Sequence, residues 1–335
     1  MDLHRIIGCR PIGVAAAAAL AVGMATTGSA AATAPTGSAS VSSDTLTVIG
    51  TGHADQIALR LAAGDPTTLQ VDFGDDGSPD QSVARGTFSR IVVLLRSGSD
   101  RFRVDQTNGP FADEALTVVG DSGDDTIAGG DGNELVLGGS GDDAFDGNRG
   151  VDTAVFGSGK DSFTWDPGDG SDAIDGGDGS DTLVFNGSND AEVMSLSANG
   201  SSSVFLRDRG SIRMDMTGVE GLDLRALGGA DSVTIDDMTG TRFHQANIDL
   251  SALGGGDGQP DVVRVNGTES KDDVSVQTNG TRVDVLGLPT DTRLTGGELI
   301  DQLQVNARGG NDEVDVSSAA RALIDVAVDL GSGQH

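Results

Sequence analysis

The 335-residue sequence contains no tyrosine, one tryptophan and one cysteine. Sites that grip sugars stack them on aromatic faces, so an aromatic content of 3% gives little support to a carbohydrate cleft. The one cysteine, Cys9, lies in an N-terminal segment that reads as removable. Once it is lost, neither disulfides nor thiol chemistry remain, and any staple must be of another kind. Basic residues are scarce, with 21 Lys and Arg against 52 Asp and Glu, for a net charge of −31. Nucleic acid and anionic membranes are therefore poor partners, and cations are good ones. Catalytic signatures are missing as well. His4, His53, His244 and His335 show no H-E-x-x-H spacing, which excludes a zinc protease of that type. No serine has the G-x-S-x-G frame and no loop has the phosphate-binding G-x-x-x-x-G-K frame. His53 beside Asp55 invites a catalytic reading, but both belong to a repeated turn. No catalytic residue is assigned, and the chain is not expected to be an enzyme. Acid pairs are too abundant for counting alone to exclude a glycosidase-like pair.

Residues 1–32 read as a secretory signal peptide. Arg5 and Arg10 give a basic start, Ile12 to Ala25 is apolar, and Ala30-Ala31-Ala32 offers small residues for cleavage. Nothing charged follows to stop transfer, which disfavours a membrane helix. No second apolar run is long enough to cross a bilayer, so no membrane span is expected in the mature chain. Residues 33–43 read as a flexible linker.

The chain is organised around residues 119–190. From Gly120 it runs GDSGDDTIA, GGDGNELVL, GGSGDDAFD, GNRGVDTAV and FGSGKDSFT. Trp165 and Asp166 intervene, and PGDGSDAID and GGDGSDTLV follow. The fourth place of each nine-residue block is glycine, and the eighth is apolar. The sixth is acidic: Asp125, Glu134, Asp143, Asp152, Asp161, Asp172 and Asp181. Glycines allow a tight turn, and the last three residues form a short strand with one inward side chain. Two blocks complete a coil of eighteen residues, so the acids of alternate blocks stack. Asp125 begins one edge, and Trp165 and Asp166 form a bulge, with Trp165 covering the roll edge or serving as a sugar platform. Asp190 follows Asp181 by nine residues, but Ser188 stands where glycine belongs, so the roll is expected to end there. Bare carboxylates stacked at about 4.8 Å repel unless a cation sits between them. Hard oxygen donors suit calcium, not zinc or copper.

These blocks resemble the RTX, or haemolysin-type, calcium-binding nonapeptide repeats over residues 120–184. The resemblance implies a right-handed parallel β-roll with calcium between successive turns. The sixth-place acids would be its side-chain ligands, and the glycine turns would supply carbonyls. Family members in Gram-negative bacteria commonly leave by a C-terminal signal; here the N-terminal one takes that place.

A longer grammar flanks the stretch: apolar, any, apolar, seven residues to an Asp, then apolar two and four places later. It fits Leu46 to Leu59, Ile91 to Val104, Leu222 to Ile235, Val263 to Val276 and Leu303 to Val316. The turn acids are Asp55, Asp100, Asp231, Asp272 and Asp312; side-chain turn capping is the favoured reading for them, calcium the other. Further alternating runs lie between copies, at Leu69-Val71-Phe73, Ile212-Met214-Met216, Val283-Val285 and Ile324-Val326-Val328. Period-two alternation means half-buried strands, and no helix is expected after the signal. Asp72 to Asp80 reads as a hairpin turn, although it loosely resembles an acidic calcium loop.

The expected fold is all-β: a right-handed parallel β-roll or β-solenoid, with N-terminal β repeats at 44–118 and C-terminal ones at 191–335. One roll between two β-sandwiches is the alternative. At His335 the pattern has just begun another glycine turn, so either the gene product is truncated or the last coil needs no cap. The expected protein is secreted, calcium-binding, and structural or interactive in role, with calcium as cofactor and a cell-surface or matrix partner not specified. The rival is a secreted β-helix enzyme on polysaccharide; a cleft lined by Arg or Lys beside paired Asp would favour it.

Overall fold

A computed structural model describes residues 37–252 and 255–332. The signal segment and the start of the linker lie outside the described residues. The described residues form one compact unit. It is all-β, with only three short 3₁₀ turns among the described residues. Two sheets of 14 strands each run its whole length, which rules out separate sandwiches around a central roll.

The chain passes from one sheet to the other and back, adding a parallel strand to each. In the first sheet Glu134–Ser140 pairs with Ala115–Ser122 on one side and Thr153–Gly159 on the other. In the second, Ala144–Asp146 lies between Thr126–Ala128 and Ser162–Trp165. Register advances by eighteen residues per coil here, as Val118↔Val136↔Ala154 and Ile127↔Phe145↔Phe163 show. Each eighth-place residue therefore stacks on its own kind, and the two columns meet as a thin core. Phe145 and Phe163 pack edge to face at 5.4 Å.

The Trp165-Asp166 insertion lengthens one coil without breaking it. Ala154 pairs with Ile174 and Phe163 with Leu183, a step of twenty residues on both sheets. Trp165 extends its strand inward and is fully buried. It neither covers an edge nor offers a sugar platform, because a long strand turns its fourth residue toward the core.

The flanks are coils of the same solenoid, enlarged by antiparallel meanders. Val193–Asn199 leaves room for two strands between itself and its expected neighbour; Ser202–Arg207 and Ile212–Thr217 then fill back, the last pairing parallel with Ala173–Gly179. Asp273–Asn279, Arg282–Leu286 and Asp291–Thr295 do the same in the second sheet. A hairpin, Asp65–Phe73 with Gln81–Ala84, extends the N-terminal end of that sheet. There Asp72 pairs with Arg60 at 2.6 Å and Asp80 accepts the Phe73 N–H, as a hairpin turn requires. The expected linker is partly strand: Ser38–Ser42 pairs antiparallel with Thr45–Ile49. Its serines carry little apolar surface, but the open sheet edge supplies unpaired backbone groups that a strand of any composition satisfies.

The invariant fourth-place glycine has a steric cause. Gly141 has φ +127°, and a Cβ there would run into the Gly123 carbonyl of the preceding coil. Strained φ costs about 1–3 kcal/mol before any clash is counted. Gly141→Ala should lower the denaturant midpoint clearly, whereas Ser140→Ala at the exposed neighbour should change stability by no more than about 0.5 kcal/mol.

Candidate functional site

The sixth-place acids are buried and form columns. In one column each backbone N–H donates to the carboxylate of the next coil. Asp125 donates to Asp143 Oδ1 at 2.9 Å, Asp143 to Asp161 at 2.7 Å, and Asp161 to Asp181 at 2.9 Å. In the other, Glu134 donates to Asp152 and Asp152 to Asp172, each at 2.8 Å. The columns reach beyond the nonapeptides. Asp55 donates to Asp100 and Asp100 to Asp125, so Asp125 does not begin its edge. Asp181 donates to Glu220. Downstream, Glu192, Asp231, Asp261 and Asp301 form a further series, and Asp272 and Asp312 another.

The roll does not end near Asp190, which is exposed and pairs with Arg209. The strand Thr182–Asn186 runs two residues longer than a nonapeptide strand, so the next block starts at Gly187. Its sixth place is Glu192, which is buried and held by Arg207.

One oxygen of each aspartate is thus satisfied, and the fate of the second divides the acids. Among the described residues, Oδ2 is buried without a hydrogen-bond partner in Asp100, Asp125, Asp143, Asp152, Asp161, Asp172, Asp181, Asp231 and Asp312. In all nine the residue four places earlier has positive φ: Arg96, Asp121, Gly139, Asn148, Gly157, Gly168, Gly177, Leu227 and Arg308. Where that residue keeps negative φ its N–H can reach back. Thr51 caps Asp55, Gly130 caps Glu134, Ser188 caps Glu192 and Thr268 caps Asp272. Glu134 therefore shares its column with Asp152 and Asp172 but, unlike them, has no orphaned oxygen. Asp55 has both oxygens taken by Thr51, as a turn cap rather than a partner for His53.

Burial without full hydrogen bonding disfavours the charged form, and neighbouring carboxylates add to this. Burial pushes Asp125, Asp143 and Asp172 up to about 6, Asp161 and Glu134 to about 7, and Asp152 to about 9. Asp181 and Asp100 are raised for the same reason. The consequence has a definite sign. A carboxyl whose folded pKa exceeds its unfolded value near 3.8 holds its proton more tightly when folded. That contribution is complete below the unfolded pKa and is lost as pH rises through the folded one. In chelator the melting temperature should therefore fall between about pH 4 and about pH 9, and any cation that needs these carboxylates deprotonated should flatten or reverse the trend. Scanning calorimetry across that range checks it.

A second acidic group lies at the insertion, where Asp146, Asp166 and Asp169 bring carboxylate oxygens within 4.8 Å of one another. Among the described residues, no helix is long and apolar enough to cross a membrane. No family model matches the chain, and no curated protein matches it.

Proposed function

We propose that the protein is a secreted calcium-binding repeat protein with a structural or interaction role, whose central coils fold on taking up calcium outside the cell. The observation that carries this reading is the orphaned, buried Oδ2 of Asp125, Asp143, Asp152, Asp161, Asp172 and Asp181, stacked coil upon coil. A buried carboxylate that is half satisfied and surrounded by like charge needs a proton or a cation. The donors available, carboxylate and turn carbonyl oxygens, are those calcium takes. Glu134 would join them only by giving up its bond from Gly130. The resemblance to RTX repeats points the same way, and so does a stretch holding 16 Asp and one Glu against one Lys and one Arg.

Calcium titration followed by circular dichroism and small-angle scattering tests the proposal. Chelator should lower the strand signal and expand the molecule; calcium should restore both, and magnesium should do so poorly because it prefers octahedral, partly hydrated sites. Unchanged dichroism and scattering in chelator would exclude it.

One observation favours the rival enzyme. A groove of about 330 Å³ on the second sheet is lined by Asp223, Arg225, Asn247, Asp249, Arg282 and Arg293. Arg293 Nε has no partner there, and Asn247 donates to Asp223 at 2.6 Å. Polysaccharide turnover that disappears in Asp223→Asn would establish that reading in place of a purely structural role.

A further inference from the structure

Three of the nine orphaned aspartates lie outside the nonapeptide stretch. Asp100, Asp231 and Asp312 close turns that read RSGSD, LGGAD and RGGND. Each is more than nine-tenths buried, and each leaves Oδ2 without a partner. Arg96, Leu227 and Arg308, four places earlier, stand at φ 82°, 70° and 66°, where side chains other than glycine are uncommon. Arg96 is the register partner of Asp121, and Asp121 of Gly139, so the first of these turns continues the backbone of the nonapeptide turns. Two places before each acid stands a glycine at positive φ: Gly98, Gly229 and Gly310. Its missing side chain leaves room for a carbonyl of the neighbouring coil, that of His53, Asp190 and Ser270 respectively. Asp55 and Asp272 occupy equivalent places without the glycine. Their oxygens are taken instead by Thr51 (N–H 2.5 Å, hydroxyl 3.1 Å) and Thr268 (2.7 and 2.9 Å).

We propose that the turns of Asp100, Asp231 and Asp312 are further sites for a hard divalent cation, while those of Asp55 and Asp272 are closed by protein groups and take none. The inference rests on the calcium reading of the nonapeptide turns and extends it to coils without that motif. A buried, orphaned carboxylate oxygen needs a proton or a cation, and hard divalent cations take carboxylate oxygens; a threonine N–H with its hydroxyl supplies the same compensation without one.

The test is calcium stoichiometry by equilibrium dialysis on the full chain. The combined variant Asp100→Asn, Asp231→Asn and Asp312→Asn keeps the Oδ1 acceptor of each column and removes the charge. It should bind one ion fewer per substituted turn. The pair Asp55→Asn and Asp272→Asn should bind the wild-type number. A combined variant that binds the wild-type number overturns the inference, as does a control pair that loses as many ions. If the combined variant does not fold, Asp312→Asn alone should lose one ion, and no loss there overturns the proposal. A wild-type chain that binds no calcium sinks the nonapeptide reading as well, which separates that failure from this one.

Discussion

Calcium should raise the melting temperature of the central coils by on the order of 10 °C relative to chelator. An ion that binds only the folded state stabilises it by RT ln(1 + [L]/Kd) per site. With dissociation constants of roughly 10⁻⁴–10⁻³ M, as in extracellular modules, about 10 mM calcium contributes about 1.4–2.7 kcal/mol per site. A domain of this size shifts by roughly 2–4 °C per kcal/mol, so a few sites suffice. Coils of a solenoid touch only their neighbours, so the transition that moves should be the one carrying residues 120–184. There the like charge is densest and the strands Thr126–Ala128 and Ala144–Asp146 each bury a single apolar side chain, with Ala154 the smallest in its column. Asp143→Asn and Asp125→Asn should each reduce the shift, and by similar amounts, because both have an acid on either side in the column. Asp190→Asn should leave it unchanged. A melting temperature indifferent to calcium would mean that the columns are kept neutral by protons alone.

Trp165→Ala should cost about 3–5 kcal/mol, the range for a large aromatic lost from a core. Trp165 stacks face to face on Phe185, with centroids 4.2 Å apart and planes 1° from parallel. Phe185 in turn meets Phe205 at 4.5 Å, which ties the nonapeptide coils to the first meander. The indole Nε1 donates to the Gly170 carbonyl at 2.8 Å. The Arg207 guanidinium lies 5.0 Å above the ring while it holds Glu192. Removing the ring therefore opens a cavity, unpairs a carbonyl and loosens the arginine that neutralises a buried acid. Trp165→Phe keeps most of the volume and should cost less, chiefly through the lost N–H. Urea unfolding followed by dichroism measures both. Because the chain has one tryptophan, its fluorescence should also move to longer wavelength when this junction opens. A variant with native stability would contradict the packing, and one that lost only sugar binding would restore the platform reading.

The nine-residue period by itself determined the all-β fold, the eighteen-residue coil and the columns of Asp125, Asp143, Asp152, Asp161, Asp172 and Asp181 with Glu134, because glycine, acid and apolar side chain recur at intervals only a stacked coil satisfies. The alternation of the flanks likewise marked their strands. It did not show that strands such as Val193–Asn199 overshoot and are filled in from behind, since pairing partners far apart in sequence carry no local signal. Nor did it place Trp165 in the core or Glu192 in the column; both depend on how far a strand runs before it turns. The flanking aspartates looked alike as turn residues. A glycine two places before Asp100, Asp231 and Asp312, and a threonine four places before Asp55 and Asp272, were the readable signals that divide them. Their meaning depended on the backbone: only the tertiary structure decided which acids keep an orphaned oxygen, because a turn residue at positive φ directs its N–H away from the carboxylate, and one at negative φ directs it inward.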